Sequence, residues 1–288
     1  MSTEFKLLTR DEEKNLSREE LIKYYQELRD YYKNLKVNKF GIKFRELLHP
    51  FLLFGVKKIK NIKLQIFNSH RIPNDGTFIF AVNHSNANDF PMASQIIKKH
   101  FYILADFTMK NDVVVNALNE LNGVIYVDRK NKDSRNKSKN EMVKLLTNGK
   151  NILMFPEGTW NLEPSKLLLT LNWGIIDIAK LSGVPIIPIV LEYRDNKCIA
   201  NIGDKFVVDC DSNKEKEILR LTDIMATLKW EIFESFPITP RESIENNYFE
   251  KYIEECLKGY KKFDLEYERS TQIRKYDSPD EVFQYIMK

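Results

Sequence analysis

Cysteine is scarce in this 288-residue chain. Cys198, Cys210 and Cys256 are too few and too scattered for a disulfide framework or a metal-binding knuckle, and their odd number reads most simply as reduced thiols. Long apolar runs are missing as well. No stretch of 18 or more apolar residues occurs, and the opening MSTEFKLLTRDEEKNLSREE has no apolar signal segment, so neither a membrane span nor a secretory leader is expected. With only 10 glycines and 10 prolines, the chain has none of the bias of a disordered or repeat protein. No clustered Cys/His ligands are present, so no metal site is expected. What is there is a folded composition, 43% hydrophobic and 30% charged. Its length can bury a large core, which favours one substantial domain with helical additions over two equal domains.

The formal charge of +4 is small, and its distribution says more. Residues 32–61 carry eight Lys/Arg and one acid, whereas residues 211–288 carry thirteen Lys/Arg and seventeen Asp/Glu. Positive charge therefore gathers toward the front, and no nucleic-acid partner is expected.

Read in order, the chain opens with a capping-box pattern at Ser17–Glu20 and aromatic or apolar residues at helical spacing, predicting a helix over 18–35. A second helix follows over 40–58, with a broad apolar surface, Pro50 as a kink and lysines at both ends. Such a helix can enter the headgroup region of an anionic bilayer, or it can cover a core and leave its lysines in water. From residue 62 the pattern alternates. Strands are predicted at 62–67, 77–82, 102–107, 124–127, 152–155, 185–192 and 206–208, with helices at 91–99, 112–121, 134–147 and 172–182. This implies an α/β fold with a mixed, largely parallel sheet flanked by helices, preceded by the two N-terminal helices. Further helices are predicted at 217–236 and 243–258. The divisions are 1–61 for the N-terminal helical element, 62–210 for the α/β domain, and 211–288 for a helical extension packed on it.

Four stretches carry chemistry. NHSNANDF, residues 83–90, places His84 and Asp89 five apart at the mouth of a strand. On one continuous helix they would sit about 140° apart, so a contact needs a strand, turn and helix, which Ser85–Asn88 and Pro91 favour. A histidine oriented by a carboxylate suits proton transfer, although such a pair can also simply cap a helix. GVIYVDRK, residues 123–130, sets Arg129 at a strand end, where it can hold a phosphate, and eight Lys/Arg with two acids fill 129–150. NILMFPEGTW, residues 151–160, holds Glu157 on a turn between Pro156 and Gly158, where it can bind a hydroxyl, orient a basic group or receive backbone N–H groups. In SGVPIIPIV, residues 182–190, Pro188 suggests an edge strand or a bulge.

Taken together, NHSNAND, GVIYVDR, FPEGT and VPIIPIV resemble, in order, the motifs of the glycerolipid acyltransferase family that includes 1-acylglycerol-3-phosphate acyltransferases. The resemblance assigns the catalytic pair to His84 and Asp89. It carries acceptor or phosphate contacts onto Gly123, Arg129, Glu157, Gly158 and Thr159, and pocket support onto Val184, Pro185, Ile186 and Pro188. It also implies an α/β fold preceded by a two-helix interfacial element. Family members often have arginine directly after FPEGT, and this chain has Trp160. Either Lys166 supplies the missing charge, or Trp160 lines an acyl or acceptor pocket.

The implied reaction moves a fatty acyl group from acyl-CoA or acyl carrier protein to the hydroxyl of 1-acylglycerol-3-phosphate, giving phosphatidic acid, with no tightly bound cofactor. His84 would take the acceptor proton, and backbone N–H groups at the turn before the 91–99 helix would stabilise the oxyanion. The partners expected are a lysophospholipid acceptor, the thioester donor and an anionic membrane surface, met peripherally from the cytoplasmic face. Alternatives are transfer to another lysophospholipid or to an amine- or hydroxyl-bearing lipid, a non-catalytic peripheral lipid-binding protein, and a hydrolase.

Overall fold

One seven-stranded sheet organises the residues that this computed structural model describes: 5–8, 12–13, 15–35, 37–59, 62–106, 123–163, 166–194, 196–237 and 239–257. The strands are β1 (Lys63–Phe67), β2 (Ile79–Val82), β3 (Phe101–Asp106), β4 (Val124–Val127), β5 (Asn151–Met154), β6 (Ile186–Arg194) and β7 (Lys197–Ile202). Their spatial order is β1-β7-β6-β2-β5-β3-β4. All pairs are parallel except β6–β7, so β7 and β1 run against the other five. The mixed, largely parallel sheet expected from the sequence is what is found.

Alternation along the strands sorts the apolar side chains into two cores, because successive side chains leave opposite faces of a sheet. Ile79 and Ala81 of β2, Ile152 and Met154 of β5, and Ile186 and Val190 of β6 enter one cluster. Phe80 and Val82, Leu153, and Ile187, Ile189 and Leu191 enter the other. The first core is closed by helices α1 (Arg18–Asn34), α4 (Lys132–Thr147), α5 (Gly174–Ser182) and α6 (Lys214–Glu234). The second is closed by α3 (Asp89–Ile97), through Met92, Ala93, Ile96 and Ile97. A last helix, α7, spans Tyr248–Leu257.

The predicted capping box at α1 is formed: Ser17 N donates to Glu20 Oε2 (2.8 Å) and Glu20 N to Ser17 Oγ (3.3 Å). Leu21, Tyr25, Leu28 and Tyr32 bury its inner face, and Arg29 donates to the carbonyls of Lys180 and Leu181 at the end of α5. Helix α2 (Lys39–Ile59) behaves differently. Ile42 and His49 are buried, with the His49 ring edge-on to those of His100 and Phe101, while Phe40, Phe44, Leu47 and Phe51 are exposed. Those four lie at spacings of four, three and four and so make one apolar stripe. Among the described residues no helix is long and apolar enough to cross a membrane.

Two expectations need correction. Residues 206–208 form no strand; Phe206 makes an isolated bridge with Ile186, and the seventh strand is β7, paired with β6 from Ile189↔Ile202 to Arg194↔Lys197. A two-residue hairpin connection between alternating apolar runs was the available signal. Pro188, expected at an edge or a bulge, is at no edge: it lies in an interior strand opposite Ala81, beside a bulge, since one residue separates it from Ile186 whereas two separate their partners Gly203 and Phe206. The β6–β7 ladder ends just there: Gly203 N donates to Pro188 O (2.9 Å), and the return bond is the one for which proline has no N–H. A Cβ on Gly203 would meet Pro188 Cγ at 2.6 Å. The predicted helix at 112–121 and the segment 259–288 lie outside the described residues.

Because α1 contributes fully buried side chains to the same core as the sheet, Leu28→Ala should destabilise the whole protein by about 2–5 kcal/mol. Urea denaturation would show one transition shifted to lower denaturant. An unshifted main transition with early loss of helix signal would mean that α1 folds apart.

Candidate active site

Strands β2, β5 and β6 run parallel, so their C-terminal ends open on one edge of the sheet, with Ala81 level with Met154 and Val82 with Ile189. Beyond Val82 the ladder is continued by a side chain. Asn83, 1% exposed, donates Nδ2 to Leu191 O (3.0 Å) and accepts from Leu191 N (2.6 Å), which frees the backbone to turn at His84.

The turn then closes on Asp89, the first residue of α3. Its fully buried carboxylate accepts from His84 Nδ1 (2.8 Å), Ser85 N (2.5 Å) and Asn86 N (2.9 Å) through Oδ2, and from Ser85 Oγ (3.3 Å) through Oδ1. The strand, turn and helix expected from the five-residue spacing are therefore present, with the pair in contact. An ionised carboxylate only accepts, so Nδ1 carries the proton of the neutral ring and Nε2 is its basic atom. The imidazole stacks on Phe155 (centroids 4.0 Å apart, planes at 14°) and meets Trp160 edge-on (5.9 Å, 89°).

Glu157 grips the backbone of His84. The carboxyl is 0% exposed; Oε1 accepts from His84 N (2.8 Å) and Oε2 from Leu169 N (2.6 Å). Of the three roles open to it in the sequence, receiving backbone N–H groups is the one on display. Burial pushes its pKa up to about 7, against those two bonds and the charge of Lys229, which pull it down. The carbonyl of His84 is held as well, by Asn161 N at 2.7 Å. Asn161 is buried, and its own carbonyl accepts a long bond from the Tyr252 hydroxyl of α7 (3.4 Å).

The other predicted residues divide by position. Gly158 has φ +77°, and a Cβ there would meet Asn172 Nδ2 at 2.7 Å. Its carbonyl accepts from Arg129 Nη1 (2.9 Å), while Arg129 Nε pairs with Asp106 at the end of β3. Arg129 thus braces the ends of β3 and β4 to the 155–161 turn. Thr159 is buried, and its hydroxyl has no hydrogen-bond partner among the described residues. Trp160 is buried against His84. Gly123, at φ +83°, lets the chain pass the Tyr102 ring, which a Cβ would meet at 2.6 Å. Lys166 is exposed and tied through its main chain, its carbonyl accepting from Asn161 Nδ2 (3.0 Å).

Sequence reasoning missed Asn83, Phe155, Asn161, Tyr193 and Lys229. Lys229 left a signal, since it interrupts the apolar stripe Leu221, Met225, Leu228 and Ile232 of α6. It is 6% exposed and pairs with Glu192 on β6 at 3.4 Å. Tyr193 and Cys198 lie close to Asp89. Burial, then the charge of Asp89, holds the Tyr193 hydroxyl well above its ordinary pKa and pushes the Cys198 thiol up to about 12, so neither ionises near neutrality. Among the described residues, the group that could hold a metal is Asp209, Cys210 and Asp211, in the turn before α6 and away from the His84 turn.

A family model described as "Acyltransferase" matches residues 63–192. The chain is 29% identical over 144 residues to a 1-acyl-sn-glycerol-3-phosphate acyltransferase of Borreliella burgdorferi, covering 50% of this chain and 57% of that protein. It is 29% identical over 169 residues to the Haemophilus influenzae protein of the same name, covering 57% and 65%. It thus spans about three-fifths of the length of these curated relatives, and the homology is partial. The crystal structure of the 1-acyl-sn-glycerophosphate (LPA) acyltransferase of Thermotoga maritima superposes with a TM-score of 0.56 over 76% of this chain and 92% of that one, at 17% identity, which is a likeness of fold.

Glu157 makes the site sensitive to pH. A carboxyl whose folded pKa lies near 7, above its ordinary 4.5, contributes stability below pH 4.5 and loses it as pH rises through about 7. Glu157→Gln lacks that titration and leaves one buried N–H without an acceptor, costing about 1–3 kcal/mol. Thermal melts from pH 4 to 8 should show the wild-type advantage narrowing toward pH 7. A constant gap would mean that Glu157 does not titrate in this window.

Proposed function

We propose that this chain transfers an acyl group from an acyl thioester, acyl-CoA or acyl carrier protein, to the hydroxyl of a lysophospholipid, with 1-acylglycerol-3-phosphate as the leading acceptor and phosphatidic acid as product. The observation that carries this reading is the His84–Asp89 pair at 2.8 Å, its carboxylate wholly buried and its imidazole fixed in plane by Phe155. The partial homology to acyltransferases supports it.

In the first step the acceptor hydroxyl gives its proton to His84 Nε2 as its oxygen attacks the thioester carbonyl. The tetrahedral intermediate then expels the thiolate, breaking the C–S bond, and the imidazolium returns the proton to that sulfur. Asp89 orients the ring through Nδ1 and stabilises the imidazolium. Transfer is direct in this reading; the Cys198 thiol, protonated and 0% exposed, is no nucleophile. Four of the backbone N–H groups of the turn, expected as oxyanion donors, are engaged, those of Ser85 and Asn86 by Asp89, that of Asn88 by Asn86 Oδ1 and that of Asp89 by Asn86 O, which leaves the N–H of Ala87 as the turn's oxyanion donor in this reading. The buried Thr159 hydroxyl has no such commitment and is the substrate contact in this reading.

A second reading keeps the chemistry and changes the acceptor to another lysophospholipid or an amine- or hydroxyl-bearing lipid. Two observations favour it: Arg129 is engaged by Asp106 and the Gly158 carbonyl, and an indole stands at residue 160 beside the imidazole. In either case the exposed stripe of α2, with Lys39 and Lys43 on the same helix, is the surface we assign to an anionic membrane, met peripherally.

Labelled acyl-CoA with a panel of lysolipids separates these readings. Turnover of 1-acylglycerol-3-phosphate is expected, and its failure beside turnover of another acceptor would select the second. His84→Ala should lower kcat by about 10²–10⁴-fold in folded protein. Undiminished transfer would remove His84 as the base, and no transfer by the wild type to any acceptor would leave lipid binding alone. Sedimentation with anionic vesicles should fall when Phe40, Leu47 and Phe51 are changed to serine. Equal sedimentation would clear α2 of this role.

A further inference from the structure

Positive charge concentrates at one end of α4. Residues 128–139 hold six Lys/Arg and two Asp, a net of +4 that equals the formal charge of the whole chain. Lys132, Arg135 and Lys137 are exposed, and neither Lys132 nor Lys137 makes an ion pair among the described residues. The fold gains nothing from cations there. A helix N-terminus favours acids and disfavours cations, and Lys132 is the first residue after the Asn131 cap.

This end of α4 stands on the edge of the sheet that carries the His84 turn. Strands β2, β5, β3 and β4 are neighbours in that order and all parallel, so the chain leaves β4 for α4 on the side where it leaves β2 for His84. Three strand spacings separate the two exits, about 14 Å. The helix end is also tied to the site. Asp128 N donates to Ser134 Oγ (2.9 Å), Arg135 Nη1 to Arg129 O (2.5 Å) and Arg129 Nη1 to Gly158 O (2.9 Å), next to the Glu157 carboxyl that accepts the His84 N–H.

We propose that the exposed cations at this end of α4, Lys132 and Lys137 foremost, form the docking surface for an acidic protein that carries the acyl group as a thioester, an acyl carrier protein. The proposal rests on the acyl-transfer reading and selects one of its two donors. Charge complementarity gives the sign of the partner. Shape gives its kind: these side chains stand out from the end of a helix, whereas a small phosphate-bearing ligand takes a concave site. A membrane surface fits less well, because a helix resting on lipid inserts apolar side chains and residues 128–140 expose no large one. The apolar stripe belongs to α2, which meets the chain just past the other end of α4, where Glu46 pairs with Lys150 at 2.6 Å. A carrier protein seated on α4 presents its thioester on a flexible arm across the sheet edge to His84.

The test compares donors in the full-length chain. Transfer to one lysophospholipid in uncharged detergent is measured with the same acyl group on acyl carrier protein and on CoA, for the wild type and for Lys132→Glu/Lys137→Glu. The double variant should lose about tenfold or more in kcat/KM with the carrier protein and stay within about twofold with acyl-CoA. Added salt should lower the wild-type value with the carrier protein more steeply than the variant's. Equal losses with both donors would overturn the proposal and give the cations to a phosphate of CoA or of the acceptor. No loss with either donor would leave them a solvated face, and lost sedimentation with anionic vesicles would give them to a membrane. Thermal melts should show Tm unchanged or raised, since glutamate suits a helix N-terminus. If the double variant does not fold, Lys132→Gln/Lys137→Gln gives the same readouts with smaller amplitude. Calorimetric binding of carrier protein without its acyl group needs no turnover. A wild type that acylates nothing yet binds the carrier protein more tightly than the variant would refute the acyl-transfer reading and uphold the docking surface. One that transfers from acyl-CoA but neither binds nor uses the carrier protein would refute the docking surface and leave that reading intact.

Discussion

The site depends on one doubly held peptide segment. The N–H of His84 is bound by Glu157 and its carbonyl by the N–H of Asn161, so the turn after β5 clamps the turn after β2 from both sides. Parallel neighbours make this possible: β2 and β5 end level, and the two chains leave the sheet within hydrogen-bonding reach. A clamp on the main chain fixes where the imidazole starts, and Phe155 and Asp89 then fix where it points. Three of the residues that do this, Phe155, Glu157 and Asn161, lie within seven positions of sequence, in one compact turn.

Burial gives the clamp both its strength and its cost. Hydrogen bonds to a charged acceptor in a dry site are strong, and an uncompensated charge there is expensive. Asp89 is stabilised by donors placed around it: two backbone N–H groups, a hydroxyl and the imidazole. Glu157 has its two backbone N–H groups, and burial still raises its pKa to about 7. Asp89 is thus held by donors of its own turn, whereas the two bonds on Glu157 come from His84 and Leu169, on two other stretches of chain.

Much of this was legible in the sequence, and the omissions have physical causes. Local patterns predicted α1 with its capping box, the strands that carry the motifs, and the strand, turn and helix that bring His84 to Asp89. These features are written in neighbouring residues. Pro188 left an edge and a bulge both open, because a proline in an apolar run fits either; here it stands beside a bulge and marks where one ladder stops while the other continues. Lys229 lies 37 residues beyond Glu192, its partner, and their pairing arises only when α6 packs on β6. Asn83 and Asn161 were passed over for a similar reason: a buried amide bridging two chain segments reads in sequence as an ordinary turn residue.

The outward face of α2 poses a separate physical question. Phe40, Leu47 and Phe51 are each more than 70% exposed on one stripe, and such a surface in water forgoes about 1.5–3 kcal/mol of burial for each side chain. The opposite face is well seated. Ile42 is in the core, Arg45 lies over the Tyr102 ring, His49 packs on His100 and Phe101, and Glu46 pairs with Lys150 at 2.6 Å. Both Phe101 and Tyr102 belong to β3, the strand that ends in Asp106 and, through Arg129, in the brace on Gly158. The apolar stripe is therefore joined to the His84 turn by a helix, a strand and an ion pair. In the acyl-transfer reading, that chain of contacts relates a helix resting on a lipid surface to the position of the imidazole, which a base acting on a lipid hydroxyl requires.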